Sequence, residues 1–273
     1  MHVDQTPYRL LNESLMDYQG TGVFPDVLLP WLEKNPGEPA WLLAFSERAG
    51  RPIPDATVED LWRLYALNRV LELLTLRFQR GAADGSAWNG PAVSIEQFEA
   101  FAQALHLQVT RENAYDPFHH EITGLVPSTD PVPRLVEVHW PGLMLGSMLM
   151  VRAGVTVAAA PETLRPGVAD ASTLYWAYWR KNRPHDDLAH GWGSNSSWRT
   201  SFRRDYQIGN KVYLNVDGEA DLGNPQGDWL NDSGLTNAER IELLVNRCFT
   251  TTTKPHGDLW PYDDRITLER AAA

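Results

Sequence analysis

Apolar residues recur at helical spacing through the first hundred positions and lose that spacing afterwards. The clearest run begins at Thr57, where Thr57 and Asp60 stand at capping-box spacing. Leu67, Leu71, Leu74 and Phe78 then form one stripe, and Trp62, Tyr65, Val70, Leu73 and Leu76 broaden it. The pattern predicts a helix central to the N-terminal half, ended by Gly81. Ser94 and Gln97 repeat the box ahead of Ile95, Phe98, Ala102 and Leu105, which predicts a second long helix. Shorter helices are predicted over 26–34 and 39–48, separated by Asn35, Pro36 and Gly37, while residues 1–25 read as an irregular arm.

Beyond residue 108 the texture becomes β-like. Strands are predicted over 135–140 and 155–159. The apolar run between them, 143–151, fits a buried helix and extended chain equally well. Residues 171–183 are predicted helical, with Arg180, Lys181 and Arg183 in the last turn and Pro184 as the stop. Thr236 and Glu239 cap a last helix whose apolar face carries Ile241, Leu244, Val245 and Cys248. The expected class is therefore α+β. A helical N-terminal part, 1–110, precedes a mixed C-terminal part, 111–273, that contains a small antiparallel sheet. No flexible linker separates the two, so one continuous domain is equally compatible with the pattern.

Residues 198–208 and 211–216, joined by Gly209 and Asn210, read as a hairpin. A two-residue turn pairs Ile208 with Lys211 and sends the apolar sets of the two strands to opposite sides. A three-residue turn pairs Ile208 with Val212, Tyr206 with Leu214 and Arg204 with Val216, on one apolar face. The second register is the expected one. It puts Arg199, Arg203 and Asp205 on the polar face, with Arg203 opposite Asp217. Arg204 falls on the apolar face, where a guanidinium needs a carboxylate or a bound anion.

Composition narrows the function classes. A net charge of −11 argues against non-specific nucleic-acid binding, which needs a basic face. The single cysteine excludes an intrachain disulfide and a cysteine-built zinc cage. A cytoplasmic location is expected, because the first residues carry early charges and lack the apolar core of a signal peptide. Arg152, Gly146 and Gly154 interrupt the 143–160 run, which reads as buried core and not as a membrane span.

Chemistry concentrates in 190–206, HGWGSNSSWRTSFRRDY. Its glycines permit a bend, its tryptophans favour packing, and its guanidiniums suit carboxylate or phosphate. His190, Asn195 and Arg199 are the candidate catalytic residues, and Trp192 and Arg204 the candidate substrate contacts. A divalent metal is a candidate cofactor through His119, His120, Glu121, His139 and His256, although their spacing matches no compact metal motif. The stretch KPHGDLWPYDD, 254–264, reads as a proline-fixed surface loop. Nucleotide-binding glycine motifs and a nucleophile elbow are absent, and Cys248 reads as an inert core thiol. The expectation is an enzyme acting on a small polar or anionic substrate. The alternative is a non-catalytic interaction or regulatory protein that presents aromatic and arginine residues to a protein partner.

Overall fold

The computed structural model describes residues 7–81, 88–189, 198–224, 234–254 and 261–270. Its helices are α1 (Pro7–Asp17), α2 (Leu29–Lys34, continuing a π-helical turn over Phe24–Leu28), α3 (Gly37–Ser46), α4 (Val58–Thr75), α5 (Ile95–Ala104) and α6 (Asn237–Asn246). All three predicted capping boxes form, at Thr57/Asp60, Ser94/Gln97 and Thr236/Glu239, with both reciprocal bonds present in each. The residues at 1–25 differ from the expected irregular arm. Tyr8, Leu11 and Leu15 recur on one face of α1 and are buried, and the Trp31 indole donates to the Pro7 carbonyl at 3.1 Å.

From Leu64 to Thr75 almost all of α4 is buried, polar positions included. Each fully buried leucine there stabilises the fold by about 1.5–3 kcal/mol. Two of the buried polar residues in that stretch are satisfied at a distance. The Asn68 amide donates to the Met150 carbonyl at 2.8 Å, and Glu72 accepts from Arg180.

A seven-stranded sheet runs in the order β1 (Gln108–Thr110), β4 (Gly142–Leu145), β5 (Met148–Val151), β9 (Tyr206–Ile208), β10 (Lys211–Leu214), β12 (Asp264–Glu269), β11 (Ala220–Asp221). All its pairs are antiparallel except β11 with β12. The 143–151 run is thus extended, and it turns at Gly146, whose φ of 58° suits glycine. A second sheet has the order β2 (His120–Pro127), β6 (Ala153–Ala159), β3 (Arg134–Trp140), with β2 parallel and β3 antiparallel to β6. Trp140 lies flat against Gly154, where a Cβ would come within 2.3 Å of its ring.

Two predicted elements are corrected. Residues 171–183 are not a helix. Leu174–Tyr175 (β7) pairs in parallel with His185–Asp186 (β8), and Trp176 and Trp179 take left-handed φ values of 55° and 76°. The reason lies in the basic residues. Arg180 and Arg183 are buried, and Arg183 donates to the Ser172 and Ala169 carbonyls at 2.7 and 2.9 Å. These long-range partners outweigh local helical propensity.

The hairpin also takes the two-residue register, with Ile208 opposite Lys211 and Tyr206 opposite Tyr213. The expected three-residue turn rested on a regular ladder running back to residue 198. The ladder begins only at Tyr206, so the apolar residues upstream impose no register. As a result Arg203 is buried with Asp205, not on a polar face opposite Asp217, and Arg204 is the residue that meets Asp217.

The largest core draws Tyr8, Leu42, Leu67 and Phe98 together with Trp140, Val151 and Tyr206, so it spans residue 110. A smaller one gathers Phe118, Trp176, Leu243 and Phe249 around β10 and α6. Among the described residues no helix is long and apolar enough to cross a membrane.

Candidate functional site

Three guanidiniums, two of them buried and one partly buried, meet one carboxylate where the second core touches α4. Asp205 precedes β9, and its backbone carbonyl accepts from Leu149 of β5 at 2.9 Å, which anchors it to the large sheet. Its carboxylate takes the Arg203 Nε–H at 2.8 Å, the Asn215 N–H at 2.7 Å and an Arg247 Nη2–H at 3.0 Å. Those donors hold Asp205 below the usual carboxylate range despite the opposing effect of burial. Arg247 follows the C-terminus of α6 in a left-handed conformation (φ 60°). Arg203 stacks on Trp176, its guanidinium carbon 4.1 Å from the ring centroid. Arg152 lies behind them and donates to the Asn246 carbonyl at 2.8 Å. Burial, with Arg247 and Arg203 nearby, pushes Arg152 down to about 9, so it remains charged at neutral pH.

Arg203 and Arg247 of this cluster line a cavity together with Tyr65 and Asn68 of α4, Trp176, Tyr178, Asp187, Leu188 and Phe202. The enclosed volume is about 10 Å³, room for one water-sized group. Two nitrogens of its arginines, Arg203 Nη1 and Arg247 Nε, are buried and make no hydrogen bond among the described residues. On the opposite wall the Tyr65 hydroxyl donates to the Asp187 carboxylate, which also accepts the Ala189 N–H at 2.7 Å. Burial raises both groups above their ordinary values. The Arg69 guanidinium stacks between Tyr178 and Trp198, 4.1 Å from each ring.

The cavity bears directly on the predicted chemistry. Asp187 and Leu188 line it just before residue 190, and Phe202 and Arg203 line it just after 197. His190, Trp192 and Asn195 themselves lie outside the described residues, as does His256. Arg199 is exposed, its guanidinium 5.7 Å from the Trp62 ring, and it does not line the cavity.

Arg204, the expected substrate contact, bonds within the protein and lines a different cavity, beside Pro54 and Asp217. Its fork closes on Asp217 at 2.6 and 2.8 Å, and its remaining nitrogen reaches the Pro54 carbonyl at 2.8 Å. A protein carboxylate therefore satisfies it, as a guanidinium on an apolar face requires. Arg204→Lys is expected to cost about 1–3 kcal/mol, because one ammonium cannot replace the bidentate fork. Urea melts should show this loss, and anion binding should be unchanged. A variant that melts like wild type would discount the pairing.

The described members of the predicted metal set each have a partner within the protein. His119 Nε2 is 2.8 Å from Gln207 Oε1, His120 Nδ1 lies 3.1 Å from the Asp116 carbonyl, and His139 Nε2 is 2.9 Å from Thr156 Oγ1. Glu121 is taken up by Arg180 at 2.6 and 2.9 Å. Among the described residues no three His, Cys, Asp or Glu side chains are grouped to hold a metal ion. Cys248 is buried, though it follows α6 and does not lie on its face.

The sequence reading missed Tyr65, Asp187 and Arg247. Tyr65 stood in the apolar stripe of α4. Asp187 adjoins the Gly-Ser-Asn stretch, a proximity that could have singled it out. Arg247 gave no signal, because its position depends on how α6 docks.

Comparison with protein-family models, curated proteins and solved structures gives no match. The functional reading therefore rests on the geometry of the cavity.

Proposed function

We propose that the protein is an enzyme acting on a small anionic substrate, and that the cavity between Arg203 and Arg247 receives an oxygen of its anionic group. The observation that carries this reading is the pair of buried nitrogens, Arg203 Nη1 and Arg247 Nε, that have no acceptor among the described residues. A buried N–H without an acceptor costs about 1–3 kcal/mol, and a carboxylate or phosphoryl oxygen would relieve two of them at once. The surrounding charge has the right sign, since Arg152, Arg203 and Arg247 outnumber the carboxylates of Asp205 and Asp187, and burial raises Asp187 above its ordinary value. Asp187, raised by burial and hydrogen-bonded by Tyr65, is placed to take or return a proton beside that anion. Segment 190–197, with His190 and Asn195, joins two stretches that line the cavity, and it is the proposed source of further substrate contacts.

Thermal melts at constant ionic strength with acetate, phosphate and sulfate test the anion site. One class should stabilise the wild type, by about 2.7 kcal/mol at a hundredfold excess over Kd. Arg247→Gln should abolish that response. Equal stabilisation of the variant would remove the basis of the proposal. Asp187→Asn should keep the anion response and lose turnover of compounds of that class.

One observation favours the interaction reading. Strand β3 is a sheet edge, and its Val136 and Val138 are exposed, as is Val132 just before it. Stable capture of a partner protein that is lost in Val136→Lys, together with silence in the anion screen, would favour that alternative.

A further inference from the structure

A second cleft, separate from the arginine cavity, opens between the end of α4 and the three-stranded sheet. Its volume is about 510 Å³, and its lining includes Arg80, Thr123, His139, Thr156, Lys181 and Asn182. Among the described residues no acid lines it, and Glu137, outside the lining, reaches its Arg80 at 2.7 Å. Lys181 is only 6% exposed, which is unusual for lysine. Its backbone is clamped on both sides. The Lys181 N–H donates to Gln79 Oε1 at 2.9 Å, and Gly81 packs so closely that a Cβ there would be 2.5 Å from the Lys181 carbonyl oxygen. Its ammonium has one bond to a described residue, to Asn89 Oδ1 at 3.1 Å, and no described carboxylate forms an ion pair with it. By contrast Lys211 pairs with Glu269 and Lys254 with Glu239, and Lys34 is exposed.

We propose that Lys181 is a nucleophilic amine, and that this cleft takes a small aldehyde or ketone bearing an anionic group, which the amine captures as an imine. The buried setting, with no described carboxylate paired to the ammonium, favours the neutral amine that such chemistry requires. Burial, with the charge of Arg77 beside it, draws its pKa below the ordinary lysine value. Arg80 lines the cleft, where its Nη2 pairs with Glu137 at 2.7 Å, and its remaining N–H groups provide the attraction for the anionic group. In the step itself the lysine nitrogen attacks the carbonyl carbon. A carbon–nitrogen double bond forms, and the carbonyl oxygen leaves as water with the two amine protons. The site shares no lining residue with the arginine cavity, so it stands or falls independently of the function proposed above.

The chain has only four lysines, Lys34, Lys181, Lys211 and Lys254, which makes a site-resolved test practical. The folded protein is treated with glyoxylate and cyanoborohydride, which delivers hydride to the imine carbon and leaves a carboxymethyl group. Peptide mass spectrometry then ranks the four lysines. Lys181 is expected to be modified about tenfold faster than the others, and denaturation should erase the difference. Acetaldehyde, which lacks the carboxylate, should label Lys181 more slowly, and Arg80→Gln should reduce the gap between the two aldehydes. If Lys181 reacts no faster than Lys34, the proposal is overturned. If the two aldehydes label Lys181 equally, the anionic part of the proposal is overturned.

Discussion

Arg180→Met is expected to destabilise the fold by about 3–5 kcal/mol, a large share of the total stability of a domain. Arg180 lies between two carboxylates and is almost wholly buried, as are both partners. Its Nε and Nη2 reach Glu121 at 2.6 and 2.9 Å, and its Nη2 and Nη1 reach Glu72 at 2.9 and 3.2 Å. Glu72 belongs to α4 and Glu121 to β2, so the guanidinium ties the central helix to the second sheet. Without it two carboxylates remain in the interior. Only Glu72 keeps another donor, the Tyr178 N–H.

The loss should depend on pH in a way that cavity formation alone would not. In the wild type, Arg180 holds Glu121 below its ordinary value against the opposing effect of burial. A depressed carboxylate contributes stability above its unfolded pKa, and that stability is lost as pH falls through the folded pKa. In Arg180→Met the main charge opposing burial is gone and only Arg152 and Arg183 still act against it, so Glu121 moves up relative to the wild type and the variant gains relative stability as Glu121 protonates. The gap between the two proteins should therefore be widest at neutral pH and narrow toward pH 4–5, near the ordinary glutamate value. Urea melts across that range measure it. Adding Glu72→Gln and Glu121→Gln should recover part of the loss at pH 7. A loss below about 1 kcal/mol at every pH would show that the triad adds little to stability.

The same triad explains which parts of the fold were legible in sequence. Capping boxes and apolar stripes are local signals, and α4, α5 and α6 followed from them. Strands β3 and β6 were visible as β-branched runs. Residues 171–183 carry an equally plausible helical pattern, but Arg180 and Arg183 find partners at Glu72, Glu121 and the Ala169 carbonyl that no local window contains. The arginine-rich stretch was legible as chemistry, and its geometry was not. Which arginine meets Asp217 and which enters the interior depends on a ladder that starts only at Tyr206. Arg247 and Tyr65 join the cavity because α6 and α4 converge there, a tertiary fact with no counterpart in spacing.

Asp205→Asn is expected to destabilise the protein by about 3–5 kcal/mol and, in the same molecule, to strengthen its response to anions. The carboxylate is the only acidic partner that Arg203 and Arg247 have among the described residues, and its own side chain is 2% exposed. Removing its charge leaves Arg152, Arg203 and Arg247 facing one another. Mutual repulsion is already felt in the wild type, where burial and Arg247 hold Arg203 down to about 10 although Asp205 opposes them. A purely structural role for Asp205 predicts loss of stability and nothing more. The proposed anion site predicts a second effect, because the field at Arg203 Nη1 and Arg247 Nε becomes more positive when the neighbouring carboxylate is neutralised. Melts of wild type and variant, with and without the anion that best stabilises the wild type, separate the two roles. The variant should melt lower without the anion and recover more when it is added. If it melts lower but gains no more than wild type, Asp205 is a structural counter-ion and the cavity does not bind anions through these arginines. If Asp205→Asn adds its increment only while Arg247 is present, the second guanidinium is placed in the site together with the first.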